Sequence, residues 1–408
     1  MGNEAEALRL HREKKGKIGI QSKVPIENGT DLSLAYSPGV AAPCRAIQEK
    51  PSLVYDYTNK GNTVAVITDG TAVLGLGDIG PEAAIPVMEG KAILFKRFAQ
   101  IDAFPLALDT TEVEEFVETV VRLAPNFAGI NLEDIAAPRC FAIEEALNSR
   151  LQIPVFHDDQ HGTAIVCLAA LTNALRVVGK ELSQVKIVIN GAGSAGLAIA
   201  RLLYQAGARR LRLCDRQGIL FPGLAGTNPY QQAMAKLTNE QGETGDLASA
   251  LQGADVFIGV SAANLVSGAM VKTMAAQPII FAMANPDPEI SPEMAKANGA
   301  IVVGTGRSDY PNQINNLLGF PGIFRGLLEV RATKVTEEMK LAAANALAEL
   351  IGEEDLKADY IIPSPFDQRV VPAVAWAVGQ EALKAGLSQA NLDSDGLRTA
   401  LRDRFGPW

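Results

Sequence analysis

The chain is poor in the side chains that hold soft metals. It has four cysteines and three histidines in 408 residues. Cys44, Cys140, Cys167 and Cys214 lie far apart without metal-ligand spacing, so reduced, packed thiols of a cytoplasmic protein are expected. Three histidines leave little room for a His-based zinc site. An excess of positive charge is also missing. Lys and Arg number 37 against 46 Asp and Glu, a formal net charge of −9, which argues against nucleic acid and anionic membrane surfaces as partners. No apolar run is expected to reach the roughly 18 residues of a bilayer span. Met1 to Lys17 mixes charges without an apolar core, so it does not read as a secretory signal. No internal repeat or low-complexity tract is visible. A small-molecule substrate is the partner class that remains.

What is present is a set of acids at the ends of short apolar runs. Phe127-Ala-Gly-Ile-Asn-Leu-Glu-Asp134 and Ile153-Pro-Val-Phe-His-Asp-Asp159 both read as strands stopped by carboxylates. Glu133, Asp134 and one of Asp158 and Asp159 are placed to converge where parallel strands end, which is where α/β sheets put their sites. No Lys or Arg stands beside them in sequence. A hard divalent cation, Mg²⁺ or Mn²⁺, would relieve their repulsion through oxygen ligands. His157 and His161 flank these acids and are read as support rather than chemistry.

Two stretches fit G-x-G-x-x-G. Gly191-Ala192-Gly193-Ser194-Ala195-Gly196 follows the apolar run Val185–Asn190 and opens a helix from Leu197. A second strand then ends at Asp215, the full βαβ setting of dinucleotide binding. The glycines allow a tight turn and close approach of a pyrophosphate to the helix N-terminus. Asp215 favours ribose hydroxyls and hence NAD, whereas Arg216 beside it suits a 2′-phosphate and hence NADP. The other stretch, Gly75-Leu-Gly77-Asp-Ile-Gly80, runs straight into Pro81 and reads as a structural turn lining the cleft.

The wider pattern is α/β. Thr63–Thr68 reads as a buried strand. Residues 111–123 form an amphipathic helix with a Thr111–Glu114 capping box and a stop at Pro125. A helix near 138–148 separates the two acid-ended strands. Further strands are expected at Arg210–Cys214, Val256–Val260, Ile279–Ala284 and Ile301–Gly304, the doubly wound order. Gln217 to Gly245 reads as a surface excursion. From Gly322 the chain turns helical, with a long helix around 335–351. The expected division is an N-terminal α/β catalytic domain (1–160), a doubly wound Rossmann-type domain (161–385) and a C-terminal tail (386–408), either a docking arm or a loose end.

Three further segments carry polar chemistry. Tyr36 stands before Ser37 and Pro38, a good N-cap and first helical residue. A phenol over a helix N-terminus would see positive potential and suit a proton relay. Lys91 stands beside an apolar run, and partial burial would lower its pKa toward the range of a base. Asn285 and Asn316, in Met-Ala-Asn-Pro-Asp-Pro and Gln-Ile-Asn-Asn-Leu-Leu, suit either turns or contacts to a substrate carboxylate.

In this order LAYSPGVA, TDGTAVLGLGDIG, EGKAILFK, NLEDI, FHDDQHGTA, GAGSAG, ANPDPE and YPNQINN resemble the malic enzymes, in particular the short bacterial type, from Tyr36 to about residue 380. The resemblance implies oxidative decarboxylation of L-malate to pyruvate and CO₂ with a divalent metal and NAD(P)⁺, NADP being the cofactor the short type leans to, in a homodimer. It matches Glu133, Asp134 and Asp159 to metal ligands and Asp158 to the acid beside the lysine. Lys91 matches the general base and Tyr36 the general acid. Asn285 and Asn316 match contacts to substrate or nicotinamide. Where larger members carry a carboxylate-holding arginine this chain has Ala72, so Arg307 or the amides of the helix after Tyr36 are expected to take that role. Two other readings stand beside this one. A metal-dependent dehydrogenase or decarboxylase of another diacid, tartrate or oxaloacetate, would differ in pocket shape alone. A non-enzymatic protein of the same fold would be expected to have lost Lys91, Tyr36 or an acid, and none is lost.

Overall fold

The computed structural model describes residues 2–73 and 75–408, with side chains from Glu4 onward. Met1 and Leu74, the latter inside the TDGTAVLGLGDIG motif, lie outside the described residues.

Among the described residues ten strands form two sheets. The first contains β1 (Thr63–Thr68), β2 (Asp102–Ala107), β3 (Gly129–Leu132) and β4 (Val155–His157), in the order β2-β1-β3-β4 and all parallel. The second contains β5 (Lys186–Asn190), β6 (Arg210–Asp215), β7 (Gly218–Ile219), β8 (Val256–Gly259), β9 (Ile279–Ala282) and β10 (Val302–Thr305). Its order is β10-β9-β8-β5-β6-β7, parallel except for the β6–β7 pair. In each sheet the chain leaves the first strand to one side and returns to the other. The switch points lie between β1 and β3, and between β5 and β8. In open α/β sheets such points, at the carboxyl ends of the strands, are where ligands bind.

The α/β reading and the two parallel sheets agree, and the expected strands lie within a residue or two of the observed ones. Three local expectations fail. The helix Val113–Leu123 is capped at Glu112 with no side-chain bond, so the Thr111–Glu114 box does not form. Thr110 takes over, accepting from the Glu112 amide and donating to Glu115. Cys44 is exposed, while Cys140, Cys167 and Cys214 are packed as expected. Residues Asp158–Val178 are long and apolar enough to cross a bilayer, yet 72% of the apolar window is buried inside the protein. This is the central core helix, continuing the π-helical turn Asp158–Gly162 into Thr163–Val178.

Two helices distant in sequence meet beside the first sheet. Pro81–Ala99 crosses from β1 to β2 and buries Ala84, Met88, Lys91, Ala92, Phe95 and Ala99. Phe320–Glu329, far along the chain, comes back to meet it. Phe320 and Phe324 stand edge-on to Phe95 with ring centroids 4.7 and 5.2 Å apart. Such aromatic contacts favour the edge-to-face arrangement. The final segment is packed rather than loose. Its helix Ser394–Phe405 buries Leu397 and Leu401, and Arg404 pairs with Glu329 at 3.0 Å.

Candidate functional site

The chain ends β3 with Asn131-Leu132-Glu133-Asp134 and β4 with His157-Asp158-Asp159. Because these strands are adjacent and parallel, the acids emerge side by side. Glu133 donates its amide to the Ile67 carbonyl of β1, and Asn131 Nδ2 holds Glu133 Oε2 at 2.7 Å. Asp134 turns into the left-handed region at φ 55°. That turn aims its amide at Asp159 Oδ2, 2.7 Å away. Glu133, Asp134 and Asp159 each offer an oxygen within 4.8 Å of the others. The acid left open between Asp158 and Asp159 is therefore Asp159. This all-oxygen set fits a hard divalent cation.

Asp158 faces the other way, into the protein. Its Oδ2 receives Lys91 Nζ at 2.7 Å, and Glu133 Oε1 lies 2.9 Å from the same ammonium. The Phe320 ring covers Lys91 at 4.3 Å. Asp158 Oδ1 is buried with no hydrogen-bond partner. Gly162, one turn on, leaves the space for it, since a Cβ there would stand 1.8 Å from that oxygen. The same added Cβ would lie 3.1 Å from the Asn316 side chain. The π turn thus presents Asp158 and Asp159 to opposite sides and sets Asn316 against the first.

The electrostatics correct one expectation. Burial works to lower the lysine pKa, but Asp158, Glu133 and Asp159 outweigh it, and Lys91 is held well above the ordinary ammonium value. Burial in turn pushes Asp158 up to about 7, and Glu133 and Asp159 upward as well, against the pull of Lys91. One ammonium serves two buried carboxylates, Glu133 and Asp158, with the half-buried Asp159 nearby. Lys91 is charged, and the surplus negative charge draws protons to the acids.

A second tier fixes the frame. Burial tends to raise Glu144, but His161 and Lys340 pull it down to about 2. Its Oε1 takes His161 Nε2 at 2.9 Å and the His157 amide at 3.1 Å. Lys340, 179 residues beyond His161, stands 3.0 Å from His161 Nδ1. Burial keeps the His157 ring down to about 4 and hence neutral. On the other side Arg139 grips Asp69 and Thr71, each at 2.9 Å. Glu144, Lys340, Asp69 and Arg139 were not singled out in the sequence; a shared site shows only when distant elements meet.

Tyr36 is not brought to this cluster. Asn28 caps a helix Gly29–Ala35, and Tyr36 is its C-cap, 68% exposed. The following helix starts at Ala41 with Val40 as N-cap, so Ser37 and Pro38 do not open it. The positive potential expected at Tyr36 is absent, because a helix C-terminus carries the opposite sign. Arg307 is engaged by Asp309 through two contacts of 2.8 and 2.7 Å. The backbone of Asn285 adjoins the Gly75 turn, where an added Cβ would lie 2.7 Å from the Asn285 carbonyl. That turn therefore packs against the segment that follows β9.

At the second switch point Gly191, at φ 111°, passes under β8, and its Cβ would meet the Val260 carbonyl at 2.6 Å. Gly196 packs on Gly191, where a Cβ would stand 1.7 Å from the carbonyl oxygen. Gly193 has open space on its free side and precedes the helix Ser194–Gln205. The turn is thus closed below and open above, with a helix N-terminus aimed outward, as a pyrophosphate requires.

The comparisons with known proteins follow the same division. Residues 15–113 and 110–148 match the malic enzyme N-terminal domain, and residues 160–383 the malic enzyme NAD binding domain. A bifunctional malic/malolactic enzyme of Bacillus subtilis is 58% identical over 97% of both chains. An NAD-dependent malic enzyme of Geobacillus stearothermophilus is 55% identical over 92% of this chain and 78% of its own. The crystal structure of a malic enzyme from Pyrococcus horikoshii superposes with a TM-score of 0.94 at 46% identity, covering 100% of this chain and 96% of that one. On motif order, fold and these matches together, the chain belongs to the malic enzyme family.

Proposed function

We propose that the protein oxidatively decarboxylates L-malate to pyruvate and CO₂ with reduction of NAD(P)⁺. The observation that carries this is the meeting of Glu133, Asp134 and Asp159 with the Lys91–Asp158 pair at the carboxyl ends of β3 and β4, next to the sheet's switch point. When bound, the divalent cation would supply Lewis-acid polarisation at the substrate's C2 oxygen, and the dinucleotide would supply the hydride acceptor. Glu133, Asp134 and Asp159 are the residues that hold the cation.

Lys91 takes the proton of the C2 hydroxyl. In the bare site Asp158 and Glu133 keep that lysine charged. With Glu133 engaged as a ligand, Asp158 would be the carboxylate left holding the Lys91 ammonium; that ammonium would pass one proton to solvent, and the neutral amine, held by Asp158, would then accept the hydroxyl proton. Asn316 beside the turn and Asn285 hold the substrate carboxylate and the nicotinamide carboxamide. Gly191 to Gly196 receive the pyrophosphate, and Asp215 with Arg216 faces the adenosine ribose. After CO₂ leaves, C3 of the enolate needs a proton, the role assigned to Tyr36.

Tyr36 belongs to an N-terminal arm with no buried residue in its three helices among the described side chains. Leu8, Ile20, Val24, Ile26, Leu32 and Leu34 are between 49% and 95% exposed. Exposed apolar surface of this extent marks an association surface. It supports a homodimer whose contact covers the arm and brings Tyr36 to a Lys91. The protein works in the cytoplasm, where three packed thiols stay reduced.

The test mixes protein, L-malate and Mn²⁺ with NAD⁺ or NADP⁺, with and without EDTA, and assays product acids. Cofactor reduction matched by pyruvate and abolished by EDTA is expected. Oxaloacetate in place of pyruvate would overturn the decarboxylation. Lactate is assayed beside pyruvate, because the Bacillus relative's name couples malic with malolactic activity.

A further inference from the structure

The excursion after β6, which reads as surface loop in the sequence, carries a helix Pro229–Thr238 that leans back on the dinucleotide turn. Gln231 is its third residue. Asn228 caps the helix by accepting the Gln231 amide at 2.9 Å, and Gln231 Oε1 accepts the Asn228 amide at 3.0 Å. This capping box leaves Nε2 free to point outward. Nε2 donates to the Ala192 carbonyl at 3.0 Å and to Asp215 Oδ2 at 3.1 Å. One carboxamide thus joins the fingerprint turn to the acid that ends β6.

Asp215 is half-buried and held at both oxygens, because Oδ1 accepts the Arg216 amide at 2.7 Å. An ionised carboxylate has about four acceptor positions, so two remain for the vicinal hydroxyls of a ribose. Arg216 differs. Its side chain is exposed, and its guanidinium makes no hydrogen bond or ion pair with any described residue. A 2′-phosphate would meet a fixed negative charge at once, and would gain an arginine only after that long side chain had been ordered. The outcome turns on whether Asp215 can rotate away, and Gln231 denies it that rotation.

We infer that Gln231 is a positioning residue that sets the cofactor preference toward NAD by clamping Asp215 across the fingerprint turn. The inference rests on the assignment of the dinucleotide to Gly191–Gly196.

The test measures binding of NADH and NADPH to the full chain by nicotinamide fluorescence. Gln231→Met keeps length but removes both donated bonds, and Asp215→Asn removes the charge. The wild type is expected to bind NADH at least about tenfold more tightly than NADPH, and either substitution to erase most of that ratio. Asp215→Asn combined with Gln231→Met is expected to change the ratio no more than Asp215→Asn alone, since the two act through one contact. A wild type that prefers NADPH, or a Gln231→Met protein that loses both ligands equally, overturns the inference. Gly196→Ala separates this from the underlying assignment. If it binds both ligands as well as the parent, the fingerprint is not the site; if it loses both, the ratio in the other variants is decisive.

Discussion

The two sheets end in opposite kinds of site. The first is built from side chains, with Glu133, Asp134, Asp158, Asp159 and Lys91 crowded and nearly all buried. The second is built from the lack of them, with glycines whose added Cβ atoms would strike neighbouring backbone. One topology, a switch in strand order at the carboxyl ends, thus serves two ligands of opposite charge. A cation is held by charge gathered in a low-dielectric pocket. An anion is held by backbone amides and a helix N-terminus, which cost nothing to keep uncharged. The first site is therefore sensitive to charge and pH, and the second to volume.

Removing the ammonium should break the first site most. Lys91→Met is expected to lower kcat by about 10²–10⁴-fold, the range for loss of a positioned acid–base group. It should leave dinucleotide binding unchanged, as fluorescence titration would read. Next in size is the effect of volume at the second site. Gly196→Ala should weaken binding of either dinucleotide by more than about tenfold, with Mn²⁺ binding untouched. A variant that damaged both sites equally would show that they are not independent.

The pH dependence sharpens the contrast. Asp158 is pushed up to about 7 by burial, so between its unfolded value and that pH the native state holds more protons than the unfolded one. Stability of the metal-free protein should then fall as pH rises through that window. Melting curves in EDTA at pH 5 and 7.5 check this, and Asp158→Asn should flatten the difference. Mn²⁺ should raise the melting temperature more at pH 7.5 than at pH 5, because protons compete with the metal for the same oxygens. The smallest effect is expected at Arg307. Its guanidinium is engaged by Asp309, so Arg307→Ala should move the KM for malate by less than about twofold, within the scatter of exposed-pair energies.

The contrast between the sites also decides what the sequence discloses. Apolar runs ending in acid, glycine or Asn-Pro are local signals, and of the nine strands of three or more residues all but one follow from them. The exception, β2, carries Asp102 and Pro105, which hide it. It is an edge strand, where proline does no harm to the ladder. Pro86 and Gly90 likewise disguise the helix Pro81–Ala99, which holds because its buried face is continuous. The glycine turn is legible because its logic is local. The cation cluster is legible in its acids but not in its electrostatics: Lys91 and Asp158 lie 67 residues apart, and only their meeting reverses the pKa expected of the lysine. The setting of Tyr36 is not legible locally because Asn28, a cap eight residues earlier, makes it the C-cap of the preceding helix.

The central claim is that Glu133, Asp134 and Asp159 hold one divalent cation beside Lys91. Titration of Mn²⁺ followed by electron paramagnetic resonance tests it directly, using the intact protein, Asp159→Asn and Glu133→Gln. One Mn²⁺ per chain is expected in the wild type, with a loss of affinity of at least about tenfold in each variant. Binding that is unchanged in both variants would contradict it.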